Sequence, residues 1–477
     1  MENNLKKNRN FSILFKLSKK ISQAFFLISI LILIYVYYRS EIIHDGNLFN
    51  YYLKYYIFTF GSVIFWGIVL KLKDETKTNI VLLASSLIVI FYLIELFITF
   101  ILNPYSDLTL QSRFDIKNEK NFDIRTKYQF YADLKKKGVD VVPSFPPKYF
   151  INKKVINYKK NPFPFSGVSK KTTILCNESG KFTTFLSDRY GFNNPDEEWD
   201  AKQTQYILIG DSFVIGECVS QNENISANLR ILSKKNVLNI GYDGNGPLIE
   251  LATLKEYAGR KKPKKVLWFY YEGNDLGNLN KESANKFLLN YLKKNFSQNL
   301  ISKQNKIDDK LLKLIELEAE KNKEIKTNQD MEKIFLDHKK KNKMWTTRFL
   351  RLKELRKFIA IDELGIDYDE KLFIKVLQEA KSYTESWGGE FYFIYLPEYR
   401  RYAKKLVLSH GLYAGRNNII NLVKSIGIPV VDMHERLFSR SDDPLSFFPT
   451  PCWRGCHYGA FGYKAVAKVL ISELDKN

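Results

Sequence analysis

The N-terminal part of the chain contains three long apolar stretches separated by short polar segments. They run at about 21–38, 55–70 and 80–102. A helix needs about 20 apolar residues to cross the hydrocarbon core of a bilayer, within a range of about 17 to 25. A cleaved signal peptide would instead be a single apolar segment followed by a small-residue cleavage site. The pattern therefore predicts three membrane-spanning helices over 21–102, with one span plus a hairpin as the alternative.

Basic residues alternate between the ends of these stretches. The tail 1–20 is rich in them, the first loop has only Arg39 and Lys54, and the second loop, 71–77, is basic again. Basic residues favour the cytoplasmic side, so the tail is expected inside and everything after Leu102 outside. Glu95 lies within the third stretch, where a carboxylate is often functional, although snorkelling toward the outer interface is the other interpretation.

A different pattern begins at residue 205. Short runs that are apolar on both faces occur at 206–209, 237–240, 266–271, 391–395 and 429–432, and helical patterns such as 248–257, 369–387 and 460–474 lie between them. Such runs are typical of buried parallel strands. The alternation predicts a doubly wound α/β sheet over 205–477, with functional groups beyond the carboxyl ends of the strands.

Two segments do not follow this alternation. Residues 103–204 are polar and turn-rich, which indicates a connector and a small cap. Residues 283–345 form a Lys- and Glu-rich amphipathic insertion, interpreted either as a helical excursion over one edge of the sheet or as a lid.

The chain of 477 residues has 74 Lys and Arg against 52 Asp and Glu, a formal net charge of +22. Nucleic-acid binding needs such charge gathered on one element or interleaved with stacking aromatics. Here the lysines are spread along the chain, so no nucleic-acid partner is expected and the bilayer is the predicted partner of the N-terminal part.

All four cysteines follow the predicted membrane helices, where an oxidising compartment would allow them to pair. Cys452 and Cys456 are close enough to bridge a tight loop, which would leave Cys176 with Cys218. His457 adjoins Cys456, so a zinc site is the alternative. No second cluster completes such a site, and neither a metal nor a cofactor is expected.

Candidate chemistry follows the first three predicted strands. Ser212 comes directly after the first, Gly241 and Gly244 lie in a turn after the second, and Asn274 follows the third. A serine at a strand-to-helix turn is exposed and can act as a nucleophile if a base is in reach and N–H groups stabilise the oxyanion. Near the C-terminus, His457 precedes the last helical pattern and could provide that base.

This ordered set, Gly210-Asp211-Ser212, a glycine turn, Gly273-Asn274-Asp275 and a terminal histidine, resembles the SGNH (GDSL-type) hydrolase family. The resemblance implies a flavodoxin-like sheet. It also implies Ser212 as nucleophile, His457 as general base and Ser212, Gly244 and Asn274 as oxyanion donors. Gly244 is preferred to Gly241 for this role. The resemblance covers about 205–474 apart from the insertion.

The sequence departs from the family at one position. The acid that usually precedes the histidine by three residues is replaced by Arg454. The histidine is then either part of a Ser-His dyad or oriented from elsewhere, by a backbone carbonyl or by Asp432, Asp442 or Asp443. Asp432 is favoured because it ends a predicted strand, although a helix cap is an equally good interpretation.

Residues 176–180 and 188–195 also resemble a leader found in some bacterial membrane-anchored SGNH proteins. The function expected by this analogy is a serine esterase or acyltransferase acting on O-acyl, chiefly O-acetyl, groups of an extracytoplasmic polysaccharide. It would sit in a bacterial inner membrane with its C-terminal domain in the periplasm, and a membrane partner would supply acyl donors. A glycan-binding or assembly protein with a decayed site and a lipase or lysophospholipase are the alternatives.

Overall fold

A computed structural model of the chain describes residues 2–43, 49–99, 123, 125–152, 159–178, 180–322, 349–352, 355–356, 368–402, 415–449 and 456–474. The chain divides into two compact units. The N-terminal unit comprises Met1–Pro104, Trp345–Arg356 and Asp369–Lys371. The C-terminal unit comprises Tyr105–Met344, Lys357–Tyr368 and Leu372–Asn477.

The N-terminal unit is built on the helices α1 (Glu2–Tyr37), α2 (Phe49–Lys71) and α3 (Asp74–Phe97). Three segments are long and apolar enough to cross a membrane, which confirms the prediction of three such helices. They are Ser12–Ile42, which continues from α1 into the π-helical turn Tyr38–Ile43, Tyr52–Lys71 in α2 and Asp74–Phe97, which is α3 itself. The first helix begins earlier than its apolar stretch and takes in the basic tail. Large apolar side chains such as Leu27 and Phe58 are more than half exposed, as expected for helix faces that contact lipid.

Hydroxyl groups join these helices on their inner faces. Ser18 Oγ and Thr78 Oγ1 are 2.8 Å apart, and Ser29 Oγ and Ser62 Oγ are also 2.8 Å apart. Hydrogen bonds of this kind hold helices together where the surrounding lipid is as apolar as the side chains.

Glu95 is buried near the end of α3 and has a partner in the segment Trp345–Arg356, which belongs to the same unit. Its carboxylate accepts the backbone N–H of Leu355 at 2.7 Å. Tyr92 donates to the carbonyl of Leu350 at 3.1 Å, and Arg356 donates to the Tyr55 hydroxyl at 3.2 Å. The carboxylate therefore holds a chain segment instead of snorkelling to the interface.

In the C-terminal unit, the cap contains a helix and a small sheet. The helix is α4 (Lys127–Lys136), and the strands are β1 (Val141–Pro143), β2 (Thr172–Ile174) and β3 (Thr184–Leu186). β2 pairs with β1 in parallel and with β3 antiparallel. Cap phenylalanines such as Phe163 and Phe165 lie in the same core as Ile207 of the main sheet. The cap is thus more ordered than its turn-rich sequence suggests, because buried aromatics pack it onto the sheet.

The main sheet has five strands, β4 (Tyr206–Ile209), β5 (Val237–Asn239), β6 (Lys265–Tyr271), β7 (Glu390–Leu396) and β8 (Val430–Asp432). Their order is β5-β4-β6-β7-β8, and every neighbouring pair is parallel. This is the flavodoxin-like order 2-1-3-4-5, so the predicted doubly wound fold is confirmed.

Helices cover both faces of this sheet. They are α5 (Ser212–Ile215), α6 (Ile225–Ser233), α7 (Pro247–Thr253), α8 (Asp275–Ser283), α9 (Gln304–Lys321), α10 (Glu370–Glu385), α11 (Gly415–Ser425), α12 (Met433–Arg436) and α13 (Ala460–Leu474). Alternate strand residues enter two separate cores: Ile207 and Ile209 pack with α7, α10 and α11, whereas Tyr206 and Leu208 pack with α6 and α13. Burial on both faces explains the continuous apolar runs.

The described part of the insertion packs against the cap. Ile307, Leu311 and Ile315 of α9 are buried in the core that contains the cap phenylalanines. Residues 323–345 of the predicted insertion lie outside the described residues, so neither interpretation of that part as excursion or lid is tested.

Candidate catalytic site

The nucleophile turn joins β4 to α5. Gly210 is required there, because a Cβ would lie 2.5 Å from the Val214 side chain. Asp211 caps α5 by accepting the N–H of Phe213 at 2.9 Å. Ser212 is the first residue of α5, so its own N–H has no intrahelical acceptor and is available to an oxyanion.

His457 lies between Ser212 and a carboxylate. Its Nε2 is 2.8 Å from Ser212 Oγ, and its Nδ1 is 2.9 Å from Glu178 Oε1. The second oxygen of Glu178 accepts the backbone N–H of His457 at 3.1 Å. A carboxylate on Nδ1 leaves Nε2 free to accept the serine proton, which is the arrangement of a nucleophile, base and orienting acid.

The structure gives the orienting position to Glu178 and not to Asp432. Asp432 ends β8 as predicted, but it caps α12 by accepting the N–H of His434 at 3.0 Å and forms an ion pair with Arg416. Asp443 caps a short turn through the N–H of Leu445 at 3.2 Å. Among the described residues, neither Asp442 nor Asp443 forms a hydrogen bond with His457, whose ring is held by Glu178 and Ser212. The helix-cap interpretation of Asp432 is therefore the one that the structure supports, and Arg454 lies outside the described residues.

A disulfide fixes the segment that carries Glu178. Cys176 is bonded to Cys218, with their Cα atoms 5.3 Å apart, as the sequence predicted. Cys218 follows the nucleophile helix closely, so the bond ties the Glu178 segment to the chain next to Ser212. Cys456 is also in a disulfide, and its predicted partner Cys452 lies outside the described residues.

The ligand atoms of Glu178, Cys218 and His457 lie within 4.8 Å of one another, a spacing that a metal ion could use. The sulfur of Cys218 is in a disulfide, however, and a thiolate is what binds a metal. Both imidazole nitrogens of His457 already have partners in Glu178 and Ser212. Cys456, which the zinc alternative needs, is disulfide-bonded too. The donor set therefore fits acid–base chemistry and not a metal site.

Gly244 and Asn274 flank the nucleophile turn. The loop that carries Gly244 is joined to the turn because Tyr242 donates its N–H to the Gly210 carbonyl at 3.2 Å. The N–H of Gly241 is engaged by Asn239 Oδ1 at 3.0 Å, whereas Gly244 donates to none of the described residues. This difference favours Gly244 over Gly241 as the backbone donor to the oxyanion, as predicted.

Asn274 reaches the same turn from the end of β6. Its Nδ2 donates to Asp211 Oδ2 at 3.2 Å, and the second hydrogen of that amide remains for an oxyanion. The three predicted donors thus come from three consecutive strand ends.

Lys148 of the cap forms a wall of the site that the sequence did not indicate. Its ammonium is 2.9 Å from Asp243 Oδ2, and its Cδ is 2.4 Å from where a Cβ on Gly244 would lie. Gly244 also has a φ of 69°, so both its backbone and this close approach exclude a side chain. Burial alone would lower the pKa of Lys148, but Asp243 and Glu217 raise it, which keeps a cation beside Gly244.

Carboxylates dominate the electrostatics around the base. Burial alone would lower the pKa of His457, but Glu178, Glu217 and Asp211 outweigh it and raise the pKa to about 9. Burial and the nearby Asp243 raise the pKa of Glu217 to about 7, and burial raises that of Asp211. The acidic surroundings stabilise the imidazolium that forms when His457 takes the serine proton.

The geometry can carry out acyl transfer. Ser212 Oγ attacks an ester carbonyl while His457 removes its proton, and the oxyanion binds N–H groups of Ser212, Gly244 and Asn274. His457 then returns the proton to the leaving alcohol, which produces an acyl-serine that water or a sugar hydroxyl can cleave.

The solved structures that are similar to this chain include the following three. A protein from Desulfitobacterium hafniense described as lipolytic, of the G-D-S-L family, is 14% identical, with 56% of this chain and 100% of that chain covered and a TM-score of 0.31. A member of the lipolytic G-D-S-L family from Veillonella parvula is 11% identical, with 57% and 100% covered and a TM-score of 0.31. A lipase/acylhydrolase from Enterococcus faecalis is 12% identical, with 57% and 96% covered and a TM-score of 0.30. No protein-family model and no curated protein matches the chain.

Identities and TM-scores this low do not show a function for this chain. The fold assignment therefore uses only the chain's own strand order and residues. The strand order is flavodoxin-like, and Ser212, Gly244 and Asn274 follow the three strands that the resemblance assigned to them. His457 precedes the last helix and contacts the serine. By strand order and by the placement of these four residues, the C-terminal unit has the SGNH (GDSL-type) hydrolase fold.

Proposed function

We propose that this protein is a membrane-tethered serine ester hydrolase of the SGNH type. The observation that carries the proposal is His457, held between Ser212 Oγ at 2.8 Å and Glu178 Oε1 at 2.9 Å. An inactive site would not be expected to combine a buried serine, a histidine that contacts it and a carboxylate that orients the histidine. The replaced acid at Arg454, which favoured an inactive protein, is thereby compensated from another segment.

The substrate we propose is an O-acyl ester, chiefly O-acetyl, on an extracytoplasmic polysaccharide. Three apolar helices would hold the enzyme at a bacterial inner membrane. The disulfide that positions Glu178 suits an oxidising compartment such as the periplasm. Envelope glycans are the ester-bearing polymers that such a tethered enzyme would meet.

The acyl-serine can be resolved in two ways. Water as acceptor makes the protein an esterase, and a sugar hydroxyl makes it an O-acyltransferase that draws acyl groups from a membrane partner. We propose hydrolysis first, since it needs only the residues already described.

A substrate panel tests this function. The full-length protein in detergent is expected to release acetate from p-nitrophenyl acetate and from an O-acetylated polysaccharide. The rate on a long-chain ester is expected to be lower. The matched control is Ser212→Ala, and de-acetylated polysaccharide gives the background. A preference for the long-chain ester would instead favour a lipase, the activity named for the similar solved structures, and no release from any ester would overturn the proposal.

Membrane orientation gives a second prediction. We expect alkaline phosphatase fused after Asn477 to be active, because alkaline phosphatase becomes active only outside the cytoplasm. The same reporter fused in the loop near Asp74 is expected to be inactive. The basic flanks of α1 and of the second loop are the physical reason. The reverse pair of results would place the site in the cytoplasm and contradict the proposed substrate.

A further inference from the structure

A cavity of about 620 Å³ lies between the cap and α9, and Ser212 is not among the residues that line it. Its lining includes Lys160 and the buried Phe150 and Phe163 from the cap, with Lys306, Lys310 and Lys313 from α9. We call this the lysine groove. One carboxylate, Asp309, joins four ammonium groups in the lining, so the groove is strongly cationic.

The three lysines of α9 share one helix face, because they are spaced by four and then three residues. Like charges at this spacing destabilise a helix. Lys306 and Lys313 are exposed and form no ion pair with any residue that the structure describes. Asp309, three residues after Lys306 and four before Lys313, offsets part of this repulsion, and the net positive charge that remains favours an anionic ligand.

The groove is also held in shape. Lys310 Nζ donates to the Pro162 carbonyl at 2.7 Å and lies 4.7 Å from the centre of the Phe150 ring. Gln298 bonds both the N–H and the carbonyl of Phe163, at 2.9 and 3.1 Å. A preorganised site binds with a smaller loss of conformational entropy.

We propose that the lysine groove binds a segment of an anionic polysaccharide through its phosphate or carboxylate groups. A concave site with cationic walls suits a single flexible chain better than a flat bilayer surface. Single-stranded nucleic acid needs aromatic faces on which its bases can stack, but Phe150 and Phe163 are only 3% and 1% exposed.

The groove and the catalytic site share one short element of the cap. The turn Pro147–Phe150 places Lys148 beside Gly244 and Phe150 in the lining of the groove. A glycan chain in the groove would thus be retained close to Ser212. Only this link to catalysis rests on the proposed function; the binding itself does not.

The test uses full-length protein in phosphatidylcholine nanodiscs and fluorescence anisotropy of a labelled oligogalacturonate, a carboxylate glycan. We expect Lys306→Gln/Lys313→Gln to weaken binding by about fivefold to tenfold, as for two partly screened ion pairs. Lys464→Gln/Lys468→Gln, which removes the same charge from exposed positions of α13, is the matched control and should bind like the parent. Each single Lys→Gln change is measured as well, so that a folding defect in the double variant is recognised.

Equal loss in the control variant, or no loss in the groove variant, overturns the proposal. Binding of a neutral dextran as tight as that of the oligogalacturonate would also overturn it. So would phosphatidylglycerol vesicles or a single-stranded oligonucleotide, if either displaced the labelled probe more strongly than unlabelled oligogalacturonate does. Hydrolysis of p-nitrophenyl acetate is measured on the same variants and should be unchanged. If the parent lacks esterase activity but binds the glycan, the proposed function is wrong and the proposal that the lysine groove binds an anionic polysaccharide is supported.

Discussion

Replacing Ser212 with alanine is expected to lower kcat on a short acyl ester by about a millionfold, the loss seen when the nucleophile of a serine triad is removed. The reason is that Ser212 Oγ is the atom His457 contacts and the atom that would carry the acyl group. Release of p-nitrophenol from p-nitrophenyl acetate measures the effect, and a serine-reactive phosphonate should label the parent and not the variant.

The matched control is Ser226→Ala. Ser226 is buried in α6, and its hydroxyl bonds the Asn224 side chain at 2.8 Å without contacting His457. This variant should keep its turnover and its phosphonate labelling, whereas its thermal stability falls slightly. Full activity in Ser212→Ala would exclude the serine mechanism.

Replacing Glu178 with glutamine is expected to lower kcat by about a thousandfold to ten-thousandfold, since an amide at this position no longer fixes the imidazole tautomer or stabilises the imidazolium. Glu178 accepts hydrogen bonds from both the ring and the backbone of His457. Steady-state kinetics on p-nitrophenyl acetate gives the change, and KM should move little.

The pH profile of the same variant separates this role from a purely structural one. Only the neutral imidazole can take the serine proton, so kcat/KM of the parent should rise with pH up to the pKa of His457, about 9. Glu178→Gln removes a carboxylate that favours the imidazolium, so the pKa falls and the rise moves to lower pH. Measurements from pH about 6 to about 10 would show it. An unmoved profile would mean that Glu178 does not act on His457.

Asp432→Asn is the control for that comparison. Asparagine caps a helix as well as aspartate does, so the variant keeps the cap on α12 and loses its ion pair with Arg416, which should lower stability by about 1 to 3 kcal/mol. Its turnover and pH profile should match those of the parent. A large loss of turnover would restore Asp432 as the orienting acid.

Local signals predicted the parts of the site that depend on one strand end each. Ser212 and Asn274 directly follow apolar runs, and the carboxyl ends of parallel strands meet at one edge of the sheet. Their proximity could therefore be inferred from order alone. His457 was recognisable because it precedes a strongly helical C-terminal segment.

Glu178 could not be found in this way. It lies 279 residues from His457 in a short turn of the cap, and no periodicity distinguishes it from the other carboxylates of the chain. Two signals were available: residues 176–180 resemble a leader of membrane-anchored SGNH proteins, and Cys176 lies two residues before Glu178, so its predicted pairing with Cys218 places this segment beside the nucleophile helix. Asp432 was preferred because it ends a strand. The residue at a strand end is often also the cap of the helix that follows, and Asp432 uses its carboxylate to cap α12.

Sequence alone determined the elements of this protein, because hydrophobic periodicity records which faces must leave water: three helices apolar all round, and five short strands buried on both sides. It also determined the residues at the ends of those strands. Tertiary structure alone decided how the cap meets the sheet, and with it the acid that orients His457 and the cation beside Gly244. These contacts join segments far apart in the chain. They are fixed by the disulfide that the sequence predicted and by the packing of buried phenylalanines, which no local pattern specifies.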